Sequence, residues 1–313
     1  MANSNPSTTY ERFTLRMALN LAAPHTWPAS IVPALVATCA AALVQPISLS
    51  MALVLLVIVV LMQASVNTFN DYYDYVKGTD SEDDNVDASD AVLVYNNVNP
   101  NSALALAVGM LGVAFVLGVY AIVQAGFVPL VIALVGAAFV VLYSAGKSPI
   151  SYLPLGEVVS GVVMGALIPL AIYQVLTGIL DFTVLLWSIP MVIGIGLIMF
   201  TNNTCDIERD IPAGRRTLPI VLGRPRAVTL YRALLVVWIA DIVLNVAVWF
   251  TSGLIIVPFM LLAAYPLVKA VFTNSFTPER RLQAMPQILS VNVVLGAFYA
   301  AEILASGTVA LVF

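Results

Sequence analysis

Charge is scarce in this chain. Only 10% of its 313 residues are Asp, Glu, Lys or Arg, while 61% are hydrophobic, and the mean hydropathy is +0.98. A soluble core does not need so much apolar sequence, and a disordered or collagen-like chain is excluded. Histidine is limited to His25, which rules out a histidine-rich metal centre. The two cysteines, Cys39 and Cys205, lie far apart in or beside apolar runs and read as small buried hydrophobes, not as a disulfide or metal site. The first 25 residues do not resemble a cleaved signal peptide; with Glu11, Arg12 and Arg16 they read as an interfacial helix leading into the membrane. No low-complexity segment is present, and a net charge of −4 gives no support to a nucleic-acid partner.

What is abundant is apolar sequence in runs long enough to cross about 30 Å of hydrocarbon. About nine such runs are read, at 27–46, 50–70, 102–122, 125–144, 155–177, 183–203, 228–250, 254–271 and 286–309. Backbone in lipid must satisfy its own hydrogen bonds, and the runs lack the alternation of barrel strands. The expectation is an all-α integral membrane protein with one polytopic domain over 1–313. Basic residues orient it. With the N-terminus cytoplasmic, all 13 Lys and Arg fall on inside segments, and the outside connections near Gln45–Ser50, Gly126–Pro129, Thr177–Phe182 and Thr251–Gly253 have none. This places the protein in the cell membrane, with an acidic cytoplasmic loop over 71–101 and a basic one over 204–226.

Two Asn/Asp clusters end long apolar runs that both point inward. Asn67, Asn70, Asp71 and Asp74 fall at i, i+3, i+4 and i+7; Asn203, Asp206 and Asp210 fall at i, i+3 and i+7, with Asn202 adjacent. If helical, each set forms one stripe, and the likeness of the two units suggests a weak internal repeat. They can be solvated loop acids. Yet a helix C-terminus is the negative end of the macrodipole, and like charges one turn apart repel, so carboxylates placed there twice call for a cation. Oxygen ligands without His or Cys point to Mg²⁺, which takes one or two carboxylates, water and substrate phosphate. Arg215, Arg216 and Lys147 suit phosphate contact, although positive-inside bias also explains basic loops. Glu157 opens an inner helix N-terminus, where dipole and site readings both hold. The mid-run pair Asp241 and Asn245 reads equally as function or packing.

These residues resemble a family. Asn70-Asp71-Tyr72-Tyr73-Asp74 and Asp206-Ile207-Glu208-Arg209-Asp210 look like the paired aspartate-rich motifs of the UbiA superfamily of intramembrane aromatic prenyltransferases. The segments Asn67 to Asp80, Leu155-Gly156-Glu157 and Asn202 to Gly223 look most like its menaquinone-pathway branch, the 1,4-dihydroxy-2-naphthoate polyprenyltransferases. Three departures stand out. Gly78 occupies a position where many members carry a further Asp, which Asp80 would replace. Ala23-Pro24-His25 stands where Arg-Pro is usual. No basic residue lies between Asp83 and Pro100.

The resemblance implies transfer of a polyprenyl group from its diphosphate to 1,4-dihydroxy-2-naphthoate with loss of carbon dioxide; 4-hydroxybenzoate and homogentisate are the alternative acceptors. It implies Mg²⁺ on Asp71, Asp74, Asp206 and Asp210, with Asp80 as a further candidate ligand. Asn67, Asn70 and Asn203 would orient ligands, while Arg215, Arg216 and Lys147 would bind the diphosphate. Tyr143 and Glu157 are the candidate bases, and the prenyl tail would lie in an apolar tunnel open to membrane lipid. A CDP-alcohol phosphotransferase would hold its acids in one continuous stretch. A cation transporter would hold them near mid-membrane, where only Asp241 qualifies.

Overall fold

The computed structural model describes residues 10–78, 92–144, 149–308 and 311–312. It is helical throughout, apart from a parallel pairing of Ile47–Ser48 with Leu311–Val312. In chain order the helices are α1 (Leu15–Ala22), α2 (Pro28–Val44), α3 (Leu49–Lys77), α4 (Val92–Tyr95), α5 (Pro100–Ala125), α6 (Val128–Ser144) and α7 (Gly156–Val162). They continue as α8 (Ile168–Thr177), α9 (Val184–Trp187), α10 (Ile189–Cys205), α11 (Ile207–Asp210), α12 (Leu218–Leu222), α13 (Arg224–Trp249), α14 (Val257–Phe272) and α15 (Arg281–Leu304).

Length and composition make five units able to span a bilayer: Leu49–Val76, Pro100–Ala125, Gly156–Thr177, Arg224–Trp249 and Pro278–Leu304. The helical pair Leu15–Thr26 and Pro28–Val44 makes a sixth if counted as one span bent by 57°. Three further apolar helices, Val128–Phe139, Ile189–Cys205 and Val257–Phe272, are shorter, so the structure gives five or six full-length spans among the described residues where nine were expected. The helix leading into the first expected span is therefore present as α1. Large apolar side chains such as Phe115, Val123 and Leu262 point outward, as a lipid-facing surface requires.

Local chemistry sets the boundaries that matter. The Ser48 hydroxyl accepts from the Met51 N–H and starts α3. Gly78, at φ +67°, stops it one residue after Lys77. The first acidic cluster thus lies inside the last turns of α3, not beyond its end. Between α7 and α8 a π-helical turn spans Val163–Leu167; such turns mark places where a helix face is re-aimed. There the backbone runs against α10. A Cβ added to Gly161 or Gly165 would meet Val192 backbone at 2.5 Å, so only glycine permits the approach. Buried Trp238 packs on the other side of α10, at Gly194. Held from both sides, α10 brings its polar end opposite α3.

Candidate active site

A cavity of ≈ 280 Å³ opens where α3, α10 and α15 converge. From α3 come Gln63, Asn67, Asn70, Asp71 and Asp74. Because this helix is unbroken, the expected stripe holds and all four residues of the first cluster reach the cavity. From α10 and its C-cap come Asn202 and Asp206, one turn apart. Arg209, Arg215, Arg281 and His25 add the basic side chains.

The second cluster is not one stripe. The helical path breaks at Asp206 (φ −97°, ψ 12°) before α11 begins, which rotates the residues around it. Asn203 turns away from the cavity; its Nδ2 donates to Glu157 Oε1 at 2.8 Å, and both residues are buried. Asp210 is only 2% exposed and does not line the cavity described above. Its Oδ1 lies 3.3 Å from Arg215 Nη1, and its Oδ2 is buried without a hydrogen bond. Burial pushes the Asp210 carboxyl up to about 6, against the pull of the Arg215 guanidinium.

Arg215 joins the two clusters. Besides Asp210 on one side, its Nη2 stands 3.7 Å from Asp74 Oδ1 on the other. The guanidinium lies over the Tyr152 ring, 5.1 Å from its centre. The chain places it there through two backbone bonds: Arg215 N–H donates to Asp210 O at 3.0 Å and Arg216 N–H to Tyr152 O at 2.8 Å. A turn through Gly214 at φ +74° makes the reversal possible. A guanidinium therefore stands between an acid of each cluster.

Two residues of the first cluster carry structural bonds as well. Asp71 accepts from the Val92 and Leu93 N–H groups at 2.7 and 3.3 Å, so both oxygens hold the start of α4. Asn67 donates to Thr26 Oγ1 at 2.8 Å and Ala22 O at 3.2 Å, and accepts from Gln63. It ties α3 to the segment leading into α2. Arg216 is exposed and does not line the cavity. Asp80 and Lys147 lie outside the described residues.

The sequence reading passed over Arg281. Its Nε lies 3.0 Å from Asp206 Oδ1, and its Nη2 donates to Asn202 Oδ1 at 2.8 Å. As a basic residue at the inner end of an apolar run it is explained by topology alone. The spacing of Arg281, Met285 and Leu289, which all line the cavity at i, i+4 and i+8, was the available signal.

Two spaces adjoin the cavity. An apolar chamber of ≈ 230 Å³, sharing Gln63 and Met164 with it, runs between α3, α5, α6 and the π-turn; Leu55, Val59, Ile122, Ala133 and Leu167 are among its walls. A polar side pocket of ≈ 140 Å³ shares Asn70, Asp74, Met199, Asn202 and Arg215, and adds Tyr73, Tyr143, Tyr152 and Asn203. The donor set suits a hard cation. Asp71, Asp74 and Asp206 line the cavity with oxygen, while Asp210 is buried beside Arg215 and does not face it. Among the described residues no three acids, histidines or cysteines converge into a complete cage. An ion here would take further ligands from water and phosphate, which is the habit of Mg²⁺.

A model of the UbiA prenyltransferase family matches residues 30–300. The 1,4-dihydroxy-2-naphthoate octaprenyltransferase of Bacillus subtilis (strain 168) is 34% identical over 281 residues, 88% of each chain. The protein of the same name from Mycobacterium tuberculosis is 31% identical over 283 residues, covering 88% of this chain and 94% of the relative. Among solved structures, a UbiA homolog from Archaeoglobus fulgidus bound to GPP and Mg²⁺ superposes with a TM-score of 0.64 at 15% identity, over 91% of this chain and 99% of that one. At that identity the likeness concerns the fold.

Proposed function

The chain belongs to the UbiA prenyltransferase family, and from that premise we propose that it transfers a polyprenyl group from its diphosphate to 1,4-dihydroxy-2-naphthoate, with loss of the acceptor carboxylate as carbon dioxide. The observation that carries this reading is Arg215, 3.3 Å from Asp210 and 3.7 Å from Asp74, at the polar end of a cavity that continues into an apolar chamber. A charged head and a long apolar tail need that combination. The names of the relatives from Bacillus subtilis and Mycobacterium tuberculosis support the naphthoate as acceptor.

Mg²⁺ held by Asp74 and Asp206 from the two facing helices, with further ligands from water and phosphate, would neutralise the diphosphate as it leaves. Asp71 lines the same cavity and also holds the α4 backbone through both oxygens. Arg215, lying over Tyr152, and Arg209 contact the phosphate oxygens as the allylic C–O bond breaks. Asn70 and Asn202 orient the head group from the two facing helices. The tail extends past Met164 into the apolar chamber, whose walls exclude water from the allylic cation. The acceptor ring enters the side pocket between Tyr73, Tyr143 and Tyr152, beside the head group. Glu157 holds Asn203 against that pocket and acts through it.

Nine apolar helices, with the bent pair counted once, cross the membrane as one domain. The N-terminus and the acidic and basic loops are cytoplasmic, so the head group is loaded from the cytoplasmic face of the cell membrane. Retention of all basic residues on one side supports this arrangement.

The test is turnover by the purified protein. A polyprenyl diphosphate is offered with 1,4-dihydroxy-2-naphthoate, 4-hydroxybenzoate or homogentisate, with and without Mg²⁺. The expected result is Mg²⁺-dependent prenylation of the naphthoate, lost in Asp74→Ala and Asp206→Ala. Product without a divalent ion, or full activity in either variant, overturns the site. Product with 4-hydroxybenzoate alone overturns the acceptor.

A further inference from the structure

Arg281 sits where an arginine is physically unwelcome. It is the first residue of α15, at the positive end of the helix dipole, and only 8% exposed. Dipole and desolvation both oppose a cation there. The argument that required a cation at the ends of α3 and α10 requires an anion here. Asp206 and Asn202 are among the partners of Arg281, at 3.0 and 2.8 Å.

Position along α15 also turns Arg281 to the cavity. Arg281, Met285 and Leu289 form one face of the helix, and all three line the cavity, polar at the start and apolar beyond. On α10 the same gradient runs the other way, from Ile195 and Ile198 to Asn202 and Asp206. The two helices thus set their polar ends together and their apolar sides together, which matches an amphiphile with one charged head. Asp206 belongs to the proposed Mg²⁺ set. Arg281 holds Asp206 and lines the same cavity, so its guanidinium stands where the charged head would lie.

We infer that Arg281 is a further diphosphate-binding residue, reaching the head group of the prenyl donor from the last long helix, opposite Arg215. This rests on the prenyl-transfer reading above. Its planar fork can hold Asp206 and a phosphate oxygen together, which a lysine cannot do as well. The competing role is a purely structural clasp between α15 and α10.

Binding, not turnover, separates the two. The probe is geranyl S-thiolodiphosphate, a prenyl diphosphate analogue that does not transfer its chain, titrated calorimetrically into detergent-purified protein with Mg²⁺. Wild type should bind it. Arg281→Gln should weaken binding by about tenfold to a hundredfold, the worth of a hydrogen bond to a charged group. It should bind Mg²⁺ alone no more weakly than wild type, because Asp206 is released from its partner. Arg226→Gln, which removes an exposed arginine outside the cavity, should match wild type. An Arg281→Gln affinity within threefold of wild type overturns the inference and leaves the prenyl-transfer reading standing; failure of wild type to bind overturns both. If Arg281→Gln does not fold, Arg281→Lys carries the test. Weaker analogue binding at unchanged Mg²⁺ affinity supports the inference, and equal analogue binding overturns it.

Discussion

Replacing Arg215 by glutamine removes the cation between Asp74 and Asp210, and the cost can be worked out from the site. Asp210 is 2% exposed, so its charge cannot turn to water. Breaking a buried ion pair usually costs about 3–5 kcal/mol, but here a proton limits the loss. The folded carboxyl titrates at about 6, against 3.8 for the ordinary group. Without Arg215 its value rises further, and at pH 7 Asp210→AspH replaces the missing partner. The extra destabilisation through Asp210 is then at most about 1.4 kcal/mol at pH 7, one unit above the wild-type value. Loss of the Tyr152 stack adds about 0.5–1 kcal/mol, for a total of about 2 kcal/mol. The sign with pH follows. A carboxyl raised on folding contributes its full stability below 3.8 and loses it as pH rises through about 6 in wild type. In Arg215→Gln that loss continues to higher pH. The gap between the two proteins should therefore open above pH 6 and shrink at pH 5 to the stacking contribution alone. Thermal unfolding in detergent and chelator, from pH 5 to pH 8, measures it. A gap that is the same at both ends of this range, or absent at pH 8, would refute the reasoning. Added Mg²⁺ should narrow the gap at pH 8, since it supplies the cation that the variant lacks.

The two acids of the first motif should separate by phenotype. Asp71→Ala removes the acceptor for two α4 N–H groups and should cost about 1–2 kcal/mol, with faster hydrogen exchange at Val92 and Leu93. Asp74→Asn should leave stability near wild type and lose most turnover; the reverse pattern would exchange their roles. In the apolar chamber, Gly136 has open space where a Cβ would stand, so Gly136→Leu should fold normally and fill the space assigned to the tail. In competition between long and short prenyl diphosphates the variant should turn to the short one, whereas an unchanged preference would remove the chamber as the tail site.

Where the sequence could be read, one physical cause dominated; where it could not, two causes predicted the same residue. Helices were legible because lipid allows little else to a backbone with runs this apolar. The Asn67 to Asp74 stripe was legible because α3 continues unbroken to Lys77. The parallel stripe after α10 failed because the helix breaks at Asp206, and a break without Gly or Pro at that point leaves no mark in the periodicity. Asp71 showed its spacing but not its bonds, since the N–H groups it holds lie 21 and 22 residues away. Arg281 was hidden differently. Positive-inside bias demands a basic residue at the inner end of a span, and so does a diphosphate, so the residue type alone cannot divide them. Burial can. A topological arginine is indifferent to its neighbours as long as it meets water, whereas Arg281 is enclosed at a helix N-terminus with Asp206 at 3.0 Å. Exposed Arg226, outside the cavity, needs topology alone. The same criterion applies to the acids: Asp210 is buried beside a cation, which a solvated loop acid would not be.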